Sequence, residues 1–203
     1  MIQELIVKFH HLDQLIAWAG YLGLTIIVFC ETGLLAGFFL PGDSLLVTAG
    51  LVASQGKLNY LVLNGLLIAA AIMGDSAGYL IGYLTGPKLF KKEDSLFFKK
   101  EYLNKTHQFF EKYGGKTIIL ARFVPIVRTF APTVAGVGRM TYRKFISYNV
   151  IGGIAWVLSM TSIGYFLGAT IPNIERHLHL VIGIVIIVSF LPVVNELYRA
   201  KKK

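Results

Sequence analysis

Four apolar stretches, over about residues 12 to 30, 60 to 84, 145 to 171 and 178 to 198, each come close to the ~20 residues that cross a ~30 Å hydrocarbon core as a helix. Two further stretches are as apolar but are interrupted. Thr32 to Val52 is cut by Leu40-Pro41-Gly42-Asp43, and Thr117 to Gly138 is cut by Pro125 and Pro132 and carries Arg122 and Arg128. Each half is about ten residues, or ~15 Å of helix, which is half a bilayer. Backbone broken at that depth is tolerated only against protein or a wet cavity, so these stretches predict re-entrant hairpins over about 31–52 and 117–138. The predicted breaks are Pro41 and Gly42 in the first and Pro125 and Pro132 in the second. The expected fold is an all-α polytopic membrane protein, four transmembrane helices plus two re-entrant helical hairpins, in a single domain over residues 1–203.

Composition agrees with this pattern. Hydrophobic residues make up 55% of the chain and charged residues only 15%, too apolar a balance for a soluble domain of this size. The net charge of +9 changes its meaning once the cations are placed. Lys8, the eight lysines between Pro87 and Lys116, Arg139, Arg143, Lys144, Arg199 and the closing Lys201, Lys202 and Lys203 fall on one side, whereas Lys57 and Arg176 lie in the opposite loops. The positive-inside rule then puts both termini and the loop over about 86–116 in the cytoplasm. The charge is a topology signal, and no nucleic-acid partner is expected. The apolar run after Asp13 ends in Cys30-Glu31 without a small-residue cleavage pattern, so no cleaved signal peptide is expected.

With this topology the first hairpin dips from outside and the second from inside, so the two halves are related by inversion. Inverted repeats whose broken helices meet near the midplane are a recurring transporter plan. Four ionisable groups sit on the hairpins: Glu31, Asp43, Arg122 and Arg128. Insertion scales put each at roughly 2.5–3.5 kcal/mol at the bilayer centre, so four would cost on the order of 10 kcal/mol, the whole stability of a small domain. Two acids on one hairpin and two arginines on the other allow mutual neutralisation. They can be salt bridges that pin the hairpins together, or a site in which the arginines hold a phosphate with their planar forks. In the second case Glu31 and Asp43 are proton carriers or fixed counter-ions. Arg122 and Arg128 are six residues apart, on different faces of a regular helix, so their convergence on one ligand depends on the break at Pro125.

Asp75 lies in the second span, where it is a relay or a packing residue. Around it Gly74, Gly78, Gly82 and Gly86 recur every four residues, a signal of close helix packing that Gly164 and Gly168 repeat in the third span. Such stripes allow a homodimer as well as packing within one chain. The histidines, His10, His11, His107, His177 and His179, all lie in termini or loops. With no nucleophile and base to pair inside the membrane, an enzyme, and a lipid phosphatase in particular, is disfavoured. The single cysteine, Cys30, and the lack of a Cys/His cluster leave no metal site and no cofactor to expect.

The stretch from Phe29-Cys30-Glu31-Thr32-Gly33 through Phe39-Leu40-Pro41-Gly42-Asp43-Ser44 resembles the first signature of the DedA family. Its second signature is matched by Ala121-Arg122-Phe123-Val124-Pro125-Ile126-Val127-Arg128-Thr129-Phe130-Ala131-Pro132, with Gly74-Asp75 and Gly78-Tyr79 between them. The resemblance covers nearly the whole chain. It implies a bacterial inner-membrane protein related to VTT-domain lipid scramblases, with Glu31 and Asp43 as essential acids and Arg122 and Arg128 as essential arginines. It further implies transport of an anionic lipid, undecaprenyl phosphate or a phospholipid, with protons as a coupling partner. A proton-coupled ion or drug exporter and a non-transporting assembly scaffold are the alternatives.

Overall fold

The computed structural model describes residues 12–34, 40, 42–89 and 115–171, and every regular element among them is a helix. In chain order they are α1 (Leu12–Gly33), α2 (Gly42–Ser54), α3 (Tyr60–Leu89), α4 (residues 115–121), α5 (Pro125–Val137) and α6 (Tyr142–Thr170). Pro41, most of the 86–116 loop, the stretch over 178–198, the five histidines and the basic termini lie outside the described residues.

Length separates the helices into two kinds. The 30 residues of α3 and the 29 of α6 make about 45 and 43 Å of helix, enough to cross a bilayer. Their apolar windows are only 44% and 33% buried within the protein, as for helices whose outer faces meet lipid. Leu61, Leu22 and Phe166 point outward at 80%, 71% and 65% exposure. The 13-residue helices α2 and α5 reach only about 20 Å. The expectation of one unbroken span over 12–30 meets a different arrangement. The chain kinks at Gly20, with φ 55° and ψ −155°, a conformation in which a Cβ would be strained. The helix then runs past residue 30 to Gly33, and Gly20–Gly33 is another short apolar helix. The first break is thus at Gly20; α1 ends at Gly33, and α2 starts at Gly42.

The second interrupted stretch also breaks once. After α4 the amides of Arg122, Phe123 and Val124 bond the carbonyls three residues back, at 3.3, 3.1 and 3.1 Å, a tightened last turn. Val124 is then extended, at φ −115° and ψ 106°, as the residue before a proline must be. Pro125 opens α5 at the position where its missing N–H costs nothing. Pro132, expected as a break, lies inside α5. A proline removes a single bond of the ladder, and the neighbouring bonds carry the helix through it.

The described chain divides into two compact units. One holds residues up to Val28, Leu40–Ala69 and the chain from Trp156; the other holds Phe29–Phe39 and Ala70–Ala155. In the first, α2 is buried along nearly its whole length and meets α6 through glycines. A Cβ on Gly50 would overlap the Thr161 carbonyl, and one on Gly164 would overlap the Val47 carbonyl. Asn59 caps α3 by accepting from the amides of Leu61 and Val62 at 3.0 and 3.1 Å. Inside this unit the Thr161 hydroxyl donates to Asn64 at 2.7 Å.

In the second unit the predicted glycine stripe does what its spacing suggests. Gly74 lies against Phe29, Thr32 and Gly33, and Gly78 against Gly33. Gly82 and Gly86 lie against Thr133 and Val137 of α5. From the other side Gly136 sits on the Tyr79 carbonyl. The stripes are therefore used within the chain. A core of Tyr79, Ile118, Ala135, Met140 and Phe145 completes the unit.

Gly82→Ala should consequently lower the unfolding temperature in detergent by the equivalent of about 1–3 kcal/mol of overpacking. Gly65→Ala, where an added Cβ meets nothing within 4 Å, should be neutral or slightly stabilising.

Candidate functional site

Both arginines of the second interrupted stretch are buried, at 3% exposure for Arg122 and 7% for Arg128. Buried guanidinium groups keep their charge, so each must be met by acids or acceptors. Arg128, one turn into α5, has its amide bonded to the Val124 carbonyl at 2.9 Å. Its Nη2 donates to Glu31 Oε1, and Glu31 is itself 1% exposed. This pair joins the end of α1 to α5, across 97 residues of sequence.

Arg122 occupies the turn before Pro125. Its Nη2 lies 2.5 Å from Asp75 Oδ2 on α3 and also donates to Asn149 Oδ1 on α6. The Asn149 amide donates in turn to the Ile72 carbonyl at 3.1 Å, which fixes which of its ends faces the arginine. Gly152 and Gly153 of α6 leave room for the side chain, since a Cβ on Gly152 would lie 3.0 Å from Arg122 Cδ. Glu31, Asp75, Arg122 and Arg128 thus lie within this unit as two ion pairs.

Two further polar atoms of this unit, Arg122 Nε and the Thr129 hydroxyl, are buried and have no hydrogen-bond partner among the described residues. Buried polar atoms are nearly always satisfied, so each calls for an acceptor.

Sequence reasoning matched two acids on one hairpin to two arginines on the other. The structure makes the Glu31–Arg128 match, but Arg122 is taken by Asp75 of the long helix α3. Asp75 is thus no lone acid. Asp43 belongs to the other unit, in the first turn of α2, and accepts from Trp156 Nε1 at 2.8 Å. Trp156 is 0% exposed, and a buried indole N–H needs such an acceptor. Asn149 and Thr129 were not singled out. An amide in the middle of an apolar span was the available signal for Asn149, whereas nothing in the pattern marks Thr129.

The VTT domain matches residues 40–166. The chain is 55% identical to Protein DedA of Escherichia coli over 197 residues, 95% of this chain and 90% of that protein. It is 48% identical to the uncharacterized membrane protein Rv0364 of Mycobacterium tuberculosis, over 89% of this chain and 81% of that one. It is 36% identical to the inner membrane protein YqjA of Escherichia coli, over 74% and 68%. No solved structure matches.

If Asp75 and Arg122 neutralise each other, removing one charge alone should be far worse than removing both. Asp75→Asn and Arg122→Gln should each destabilise by about 3–5 kcal/mol, and the double variant by clearly less than their sum. Thermal unfolding of the four proteins in one detergent measures the coupling; additive losses would mean that the two groups do not form a pair.

Proposed function

Because the chain belongs to the DedA family of VTT-domain membrane proteins, we propose that it carries an anionic lipid phosphate, a polyprenyl phosphate or a phospholipid, across the bilayer. The headgroup binds at Arg122 and Arg128 while the hydrocarbon tail stays in lipid. The observation that carries this reading is the buried arginine pair together with two buried donors, Arg122 Nε and the Thr129 hydroxyl, that have no hydrogen-bond partner among the described residues. A phosphate presents several strong acceptor oxygens and two negative charges at most, which suits two guanidinium groups and a hydroxyl. A structural salt bridge needs no surplus donors.

In the closed arrangement Glu31 occupies Arg128, so headgroup and carboxylate compete for one cation. A proton taken up by Glu31 removes its claim on Arg128 and opens it to phosphate; loss of that proton expels the phosphate. This exchange couples lipid to protons without further machinery. Asp75 and Asn149 keep Arg122 in place meanwhile. The same reading includes the wider architecture: four spans and two re-entrant hairpins as an inverted repeat over residues 1–203, both termini in the cytoplasm of a bacterial inner membrane. Catalysis, metal and nucleic acid have no part in it.

The fact that both ion pairs are closed favours one other reading, a non-transporting scaffold whose charges only hold helices together. That reading ties loss of function to loss of folded protein. The test is transbilayer movement of fluorescent or enzymatically accessible lipid phosphates in reconstituted vesicles, at matched insertion. In the fraction that inserts, Arg128→Gln should move lipid at least tenfold more slowly, the loss of a charge-assisted contact, and Glu31→Gln should lose its dependence on the proton gradient. A correctly inserted, fully active Arg128→Gln protein would sink the proposal.

A further inference from the structure

Outside this charged group, the second unit contains an open cavity of about 760 Å³, within the size range of small-molecule sites. Tyr79, Leu80 and Tyr83 of α3 form one wall, and Arg139, Thr141 and Tyr142, at the junction of α5 and α6, form the other. None of Glu31, Asp75, Arg122 and Arg128 lines it. Three tyrosines, Tyr79, Tyr83 and Tyr142, stand in its walls. Tyr79 packs on Phe145 and Tyr142 with ring centres 4.6 and 5.4 Å apart, and its hydroxyl donates to the Met140 carbonyl.

The cation in this cavity is placed at a cost. Arg139 has φ 53°, the one positive value among the described residues that are not glycine, in the turn where its amide bonds the Gly136 carbonyl at 3.0 Å. A helix ending in this way ordinarily takes glycine, and an L side chain there is strained. Its guanidinium carbon lies 5.5 Å from the centre of the Tyr83 ring, a cation–π contact that fixes the charge beside the cavity. The strained position and the Tyr83 contact together hold the Arg139 charge at the edge of the open cavity.

We propose that this cavity binds one membrane lipid with an anionic phosphate headgroup, the phosphate on Arg139 and the upper part of the chain along Tyr79, Leu80 and Tyr83. Charge and polarity select this ligand. A single guanidinium with the Thr141 hydroxyl offers too few donors to strip a free phosphate of its water, whereas the aromatic walls add contact for an amphiphile. Arg143 and Lys144, exposed at the start of α6, add positive charge at the same helix end. Leu80, Tyr83 and Tyr142 are 54%, 40% and 48% exposed, so a chain can enter from the side. The site does not depend on the transport reading, because its residues and its test leave the buried ion pairs untouched.

Glycine at position 139 separates binding from folding. The full-length protein in phosphatidylcholine nanodiscs, doped with a few mole per cent of phosphatidic acid bearing a photoreactive tail, should be labelled on peptides covering residues 76–83 and 139–142. Labelling should fall on the order of tenfold in Arg139→Gly, as one charge-assisted contact is lost, while the unfolding temperature stays at or above that of the wild type because the strain is relieved. Ala77→Phe, which fills the cavity, should reduce labelling similarly. Unlabelled phosphatidic acid should compete and inorganic phosphate should not. Undiminished labelling of Arg139→Gly, or equal labelling by a photoreactive phosphatidylcholine, would overturn the assignment. Displacement by inorganic phosphate would overturn it too, making this a site for free anions.

Discussion

Charge burial is the constraint around which the second unit is arranged. Two guanidinium groups that cannot lose their protons lie among apolar side chains, and an uncompensated charge there would cost as much as the fold can supply. Each consequence can be followed outward. Arg128 draws Glu31 to it and so ties the end of α1 to α5. Arg122 draws Asp75 and Asn149, and so ties the turn before α5 to α3 and α6. These pairings join α1, α3, α5 and α6 within the second unit. A packed apolar contact would hold them as well at lower desolvation cost, which is why their retention in a membrane protein speaks for a use beyond cohesion.

The glycines make that arrangement reachable. A carboxylate on a helix can meet a guanidinium on another only if the backbones come close, and Gly74 against Phe29, Thr32 and Gly33 brings the end of α1 onto α3 within a few residues of both Glu31 and Asp75. Gly82 and Gly136 bring α3 and α5 into backbone contact. In lipid, where apolar side chains gain little by leaving their surroundings, such close approach is a main source of helix association. Polar pairing and small-residue packing are thus two parts of one device.

How much of this was legible follows from which signals are local. The two long helices, the breaks at Gly42 and Pro125 and the glycine stripe of α3 are written in short stretches of sequence, and all were read. Gly20 was passed over because a lone glycine in an apolar run is compatible with a helix; only the tertiary context decides that its φ turns positive. Pro132 was over-read for the converse reason, since a proline whose neighbours stay bonded bends or strains a helix without ending it. In the site, Glu31, Arg122 and Arg128 stood out as charges in apolar stretches, but who pairs with whom is a long-range matter. Asp75 and Asn149 lie 47 and 27 residues from Arg122, and no spacing rule connects them.

That separation along the chain sets a timetable for biogenesis. At about 5–20 residues per second, the 97 residues between Glu31 and Arg128 correspond to roughly 5–20 s of synthesis. Throughout that interval the early helices wait at the translocon with a carboxyl group whose final partner has not yet been made. A proton, or a stay at the lipid–water boundary, must shelter it. The native pairing can form only after the ribosome has passed residue 128, so the charged centre, although Glu31 lies near the start of the chain, matures no earlier than its arginines are made.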